Sequence, residues 1–203
     1  MERSLVTLAN MTGRSRDKSK INVPKHFPGG PPETELTELG EFPDNTPAEQ
    51  FKGLIPFRYL TSSNLMQAVM VGHSSYPNLE RAFSQKYYDQ YEKPMVAELQ
   101  KIIDETEYRE LTKVRPATFS PIIIRGILRE EVGFNGYVLP DSLGMGSVRK
   151  YVEKFKQTEE TKRIPTSALT VILAVYAGID SVFGLSQEYI EDAYDYVTEY
   201  RRN

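Results

Sequence analysis

The chain has 203 residues with 39% apolar content, enough for one domain with a sizeable core or for part of a larger one. Its net charge of -3 and mixed signs argue against a nucleic-acid groove, and the lack of cysteine excludes disulfides and thiolate metal sites, in keeping with a reducing compartment. The N-terminal apolar stretch is too short for a signal peptide and no run approaches a membrane span, so a cytoplasmic chain with no membrane partner is expected.

Residues 4–11 read as a short helix and the polar, basic TGRSRDKSK as a loop, so residues 1–22 form a lead-in. INVPKHFPGG is a brief β-prone run followed by Lys25, His26 and a Pro/Gly turn. Residues 31–47 are acidic and punctuated by prolines, an irregular excursion of the sort that is functional or mobile in a compact domain. Its glutamates, Glu33 and Glu35 among them, read most simply as a solvated acidic loop. In TPAEQFKGLIPFRYL, Thr46 is placed as an N-cap, Pro47 at the first helical position, and Phe51, Leu54 and Ile55 on one face.

LMQAVMVGHSSYP gives a buried strand with His73 just beyond its apolar run. Residues 81–114 form a polar, tyrosine-rich insert, helical in two pieces broken near Pro94 and suited to packing or to an interface. Ser120 and Pro121 open a helix through IIIRGILREEV, with Gly133 placed to close it. GYVLP is the next strand. Asp141 at its end either caps the following helix or is a reacting group held at a strand terminus. SVRKYVEKFKQTEETK is a charged helix, TSALTVILAVYAG an apolar one ending at Gly178, IDSVFG a strand, and SQEYIEDAYDYVTEYRR the last helix.

Four strand–helix units in alternation imply an α/β fold with a parallel sheet whose faces are covered. Lys25, His26, His73 and Asp141 all follow strand C-terminal ends, where α/β folds place their sites. No phosphate-loop, dinucleotide, zinc-protease or nucleophile-elbow motif is present, and no metal or cofactor is expected.

Several blocks carry a resemblance. PATFSPIIIRGILREEVGFNGYVLPDSLGMG resembles the most diagnostic stretch of the glycoside hydrolase family 3 catalytic domain. KHFPGG is similar to that family's sugar-binding Lys-His loop, VMVGHSSYPNLE to its following strand, and ALTVILAVYAGIDSVFG to its last strand–helix unit. The blocks occur in the family's order. The resemblance implies a (β/α)8 TIM barrel of which this chain is the second half, so that residues 1–203 form a single partial catalytic domain. It also implies removal of a terminal, non-reducing β-linked sugar, either a β-N-acetylglucosaminide or a β-glucoside, with retention of configuration. The position matching the family nucleophile is Asp141. Lys25 and His26 match the pair that hydrogen-bonds sugar hydroxyls, and His73 at the neighbouring strand end is a further candidate sugar ligand.

The chain departs from the family pattern where the proton donor should be. The Asp-Ser-His loop of the N-acetylglucosaminidase branch is replaced by PPETELTELGEFP, and the second α/β domain that carries a glutamate acid in many β-glucosidases is not expected within these residues. Glu33 or Glu35 is then the candidate substitute. The rival expectation is a barrel piece that has lost turnover and serves as a carbohydrate-binding or assembly module. A half barrel exposes two sheet edges and an apolar inner face, which favours self-association or pairing with a complementary half.

Overall fold

The computed structural model describes residues 21–29, 52–100, 115–154, 156 and 159–200. The expected helix at 4–11, the acidic loop with Glu33 and Glu35, the Thr46–Pro47 helix start and the 101–114 part of the tyrosine-rich insert lie outside the described residues.

Three short strands form one parallel sheet in the order β1 (Lys25–Phe27), β2 (Ala68–Val71), β3 (Tyr137–Pro140). The Lys-His pair therefore lies inside β1 rather than after it, as had been expected. β2 is central, with Ala68, Val69 and Val71 buried. Such continuous apolar character is what a strand covered on both faces requires. Its register with β3 runs from Ala68 opposite Tyr137 to Val71 opposite Pro140. Pro140 has no N–H to give, and its place at the strand end keeps the ladder intact. The next residue resumes it, Asp141 N–H donating to Val71 O at 2.8 Å.

Helices cover this sheet. α1 (Leu54–Ser62) buries Leu54, Phe57 and Leu60, spaced by three on one face, and Phe57 meets Phe27 of β1 edge-on at 5.0 Å. Asn64, at φ 52°, ends it in the left-handed region that asparagine tolerates. α2 (Pro77–Tyr87) starts with Pro77 in its first turn. The chain stays helical beyond it, through a π-helical turn at Tyr88–Glu92 and into α3 (Lys93–Leu99). The expected break near Pro94 is therefore absent: Glu92 and Lys93 keep helical backbone angles and the π-turn runs directly into α3, with Pro94 in its first turn.

A π-helix, Ile122–Glu131, buries Ile122, Ile123, Ile124, Ile127 and Leu128. Ser120 Oγ accepts from Ile123 N–H at its start, and Gly133, at φ 75°, follows its end. Gly126 lets this helix meet α2, since a Cβ there would stand 2.6 Å from the Tyr87 ring. α4 (Gly146–Glu153), α5 (Glu159–Arg163), α6 (Thr166–Ala177) and α7 (Gln187–Tyr200) are the remaining α-helices among the described residues. Gly178, at φ 112°, caps α6 in the conformation glycine adopts at no steric cost.

The fourth strand expected at IDSVFG does not form. Asp180 N–H donates to Val138 O at 2.9 Å, but Val138 N–H is taken by the Asp180 carboxylate at 2.8 Å instead of by a backbone carbonyl. Arg129 holds the same carboxylate oxygen at 3.1 Å. One side chain thus ends a ladder that the apolar pattern alone would have continued. The segment still lies beside β3, and Phe183 O accepts from Leu143 N–H at 2.9 Å.

A buried ionic cluster, which nothing in the sequence pattern signalled, ties the helices together. Arg115 is 5% exposed and donates through both terminal nitrogens to Glu92, at 2.6 and 2.9 Å, and also to Glu80. Ser120 Oγ donates to the same Glu80 at 2.7 Å. The partners are 23 and 35 residues away from Arg115 along the chain.

Candidate active site

The sheet brings His26, His73 and Asp141 to one rim. His26 belongs to β1, His73 follows β2 by two residues, and Asp141 follows β3 directly. Lys25 is exposed at the start of β1. The Lys25–His26 and Phe27–Pro28 peptide bonds are cis. Beneath His26 lies Gly72, where a Cβ would stand 3.0 Å from His26 Cβ, so the glycine gives the histidine room to close over the end of β2.

Asp141 does not cap a helix. α4 begins five residues later at Gly146, with Met145 at its N-cap. The carboxylate instead has a defined donor on each oxygen. Ser142 N–H donates to Oδ1 at 2.8 Å, and His26 Nε2 lies 3.0 Å from Oδ2. A carboxylate only accepts, so His26 carries its proton on Nε2 in this contact. The Asp141 side chain is 23% exposed and that of His26 37%. The carboxylate is therefore fixed yet reachable from outside, as a nucleophile must be.

Deeper in the rim is His73. Its Nε2 lies 3.0 Å from Ser142 O and its Nδ1 3.0 Å from Thr118 Oγ1. Burial pushes its pKa below the ordinary 6.5, outweighing the opposite pull of the Ser142 carbonyl and the Asp141 charge; the His26 charge adds to the depression. A neutral ring facing a carbonyl through Nε2 must carry its hydrogen there, which leaves Nδ1 as an acceptor facing Thr118 Oγ1. Thr118 Oγ1 also lies 2.8 Å from Gly72 O. Its one proton has two acceptors within reach.

The loop behind Asp141 owes its shape to two glycines that approach closely. A Cβ on Gly144 would stand 2.4 Å from Gly184 O, and one on Gly184, at φ 71°, would stand 2.1 Å from Ser142 Oγ. Ser142 Oγ donates to Gly184 O at 3.2 Å. Thr118, Ser142 and Gly184 were not singled out from the sequence as site residues. Their signal lay within blocks already quoted, the threonine of PATFS, the Asp-Ser pair and the glycine closing IDSVFG. Among the described residues no group of three or more His, Asp or Glu is arranged to hold a metal ion, and no helix is long and apolar enough to cross a membrane.

A parallel α/β sheet with a carboxylate and two histidines at its C-terminal rim is consistent with a TIM-barrel-like domain fragment. The chain belongs to glycosyl hydrolase family 3: the N-terminal domain of that family matches residues 6–201. Solved structures share the fold at low identity. A fungal multi-domain family 3 β-N-acetylglucosaminidase superimposes with a TM-score of 0.62 at 21% identity, over 97% of this chain and 18% of its own. For the β-glucoside phosphorylase BglX the TM-score is 0.59 at 18% identity, over 90% and 27%. For the β-N-acetylhexosaminidase of Beutenbergia cavernae DSM 12333 it is 0.53 at 22% identity, over 89% and 41%. The chain thus spans well under half the length of these relatives.

Proposed function

We propose that this domain is the catalytic part of a retaining glycoside hydrolase that removes terminal β-linked sugars, with Asp141 as nucleophile. One observation carries the reading: Asp141 stands at the rim with Ser142 N–H on one oxygen and His26 Nε2 at the other. A donor on each oxygen fixes the direction of the lone pairs, and partial exposure leaves room for an anomeric carbon. In the first step a carboxylate oxygen bonds to that carbon as the bond to the leaving oxygen breaks and the leaving oxygen takes a proton. Water then attacks from the face the leaving oxygen vacated, opposite the carboxylate, passing a proton to the group that had served as acid; the carboxylate departs, and this second inversion returns the original configuration.

A sugar seated on Asp141 would have His26 at hydrogen-bonding distance, with Lys25 next to it in the chain, and both would bind ring hydroxyls. As a charged donor, Lys25 would bind more strongly than a neutral group. Glu33 or Glu35 would supply the proton. The sugar is a β-glucoside or a β-N-acetylglucosaminide, since relatives of both kinds share the fold. We place the reaction in the cytoplasm, and we expect the sheet edge at β1 to be covered by a second copy or a complementary half-barrel.

The test is hydrolysis of nitrophenyl β-glucoside and β-N-acetylglucosaminide by wild type and Asp141→Ala, with trapping by a 2-deoxy-2-fluoro-β-glucosyl fluoride. A labelled Asp141 and a variant inactive by several orders of magnitude are expected. Equal rates for the two proteins would exclude the catalytic reading and leave a carbohydrate-binding or assembly module. Glu33→Gln and Glu35→Gln identify the acid. The residue that serves should cost about 100- to 10,000-fold on an alkyl glycoside and far less on a dinitrophenyl glycoside, whose leaving group needs no proton.

A further inference from the structure

The geometry points to His73 as a positioning residue, one that orients Asp141 by fixing the peptide unit whose N–H holds the carboxylate. The role rests on the proposed attack by Asp141, but the contacts behind it do not. Four hydrogen bonds clamp the chain around Ser142. On its N-terminal side Asp141 N–H is held by Val71 O at 2.8 Å. On its C-terminal side the Ser142–Leu143 peptide is held at both ends, its carbonyl by His73 Nε2 at 3.0 Å and its N–H by Phe183 O at 2.9 Å. Met145 N–H also reaches the Ser142 carbonyl, at 3.2 Å. With the flanking peptides fixed, the peptide between Asp141 and Ser142 has little freedom left, and its N–H is aimed at Asp141 Oδ1.

His73 is the side chain in this clamp, and it comes from a different strand end. Thr118 fixes its ring plane from the opposite side. Both ring nitrogens lie within hydrogen-bonding distance of protein atoms, Ser142 O and Thr118 Oγ1, which separates this role from that of a substrate ligand. The arrangement is a second layer of support, of the kind that sets how precisely a reacting group is held. Removing the imidazole leaves Ser142 O its bond from Met145, so the loop keeps its turn but loses its anchor to β2. The expected effect falls on orientation, not on folding.

The experiment compares His73→Phe, which removes both ring donors, with His73→Gln, whose amide nitrogen can replace Nε2, and His73→Asn, whose shorter side chain cannot reach Ser142. Two readouts are taken on each protein. The first is exchange of the Ser142 amide hydrogen by NMR, alongside amides of β2 and of the Ile122–Glu131 helix as internal standards. The second is kcat and KM on nitrophenyl and dinitrophenyl β-glycosides. In His73→Phe and His73→Asn, Ser142 exchange should accelerate about tenfold or more while the internal standards hold, since the opening of one loop is local. kcat should fall about 10- to 100-fold with KM little changed, as expected when a reacting group is misaligned by up to about 1 Å. The loss should be the same on both leaving groups, and His73→Gln should recover most of it. Asparagine keeps a polar side chain and serves if the phenylalanine variant does not fold.

Unchanged Ser142 exchange would overturn the proposal. So would a rise in KM at constant kcat, which marks a sugar ligand, or a defect that disappears with dinitrophenol as leaving group, which marks a proton donor. If wild type turns over no glycoside yet Ser142 exchange accelerates in the variants, the positioning contact stands and the glycosidase reading falls.

Discussion

Replacing Gly184 with alanine tests whether the segment after α6 sets the geometry of Asp141. The new Cβ would stand 2.8 Å from Ser142 Cα and 2.6 Å from Ser142 Cβ. The backbone separation is about 0.7 Å short of an ordinary carbon–carbon contact. Ser142 cannot swing aside as a long side chain does, because its neighbours are tied to Val71, His73 and Phe183. Backbone must therefore shift, and the shift passes to the amide that holds Asp141 Oδ1. The left-handed φ of 71° adds about 1–2 kcal/mol for a residue with a Cβ, and overpacking about 1–3 kcal/mol. Allowing for partial relaxation, a stability loss of about 2–4 kcal/mol is expected from urea denaturation. A kcat loss of about 100-fold should accompany it if the displacement reaches Asp141. Gly146→Ala is the control, since a Cβ there meets nothing within 4 Å. A Gly184→Ala protein as stable as wild type would refute the close approach, and a destabilised protein with full activity would refute the link to Asp141.

Two further outcomes concern charge. Arg115→Met leaves Glu80 and Glu92, at 7% and 4% exposure, without their shared cation. It should cost about 3–5 kcal/mol in urea denaturation; a loss under about 1 kcal/mol would mean the cluster is well hydrated. For His73 the sign follows from a folded pKa below the ordinary 6.5. Between those two values the unfolded chain holds a proton that the folded chain does not. The stability this group leaves intact above 6.5 is therefore lost as pH falls from 6.5 toward the depressed value. Wild type should lose more stability than His73→Gln between about pH 7.5 and pH 5, and a steeper loss in the variant would reverse the argument.

Helices and strands were legible wherever local pattern and tertiary need agree. The apolar run of β2, the Ser120-Pro121 start, and Gly133 and Gly178 at helix ends each state their conformation in a few neighbouring residues. Asp141 at the end of β3 was legible as a strand-end carboxylate because its strand is a short continuous block, whereas the Lys-His pair read as following a strand lies within β1. The fourth strand was misjudged because periodicity does not register competition for a hydrogen bond. Asp180 is one polar residue in an apolar segment, yet its carboxylate takes the N–H of Val138 that a ladder needs.

The sequence by itself determined the order of the three strands, the family, and which carboxylate stands at the rim, since each depends on residues close together in the chain. Only the tertiary structure decided that Asp141 holds no helix cap, that His26 closes on it, and that His73 serves the Ser142 carbonyl 69 residues away. It also decided that Arg115 is buried between two glutamates. The physical reason is that a hydrogen bond depends on distance and direction in space, and separations of this size leave no periodic trace along a chain.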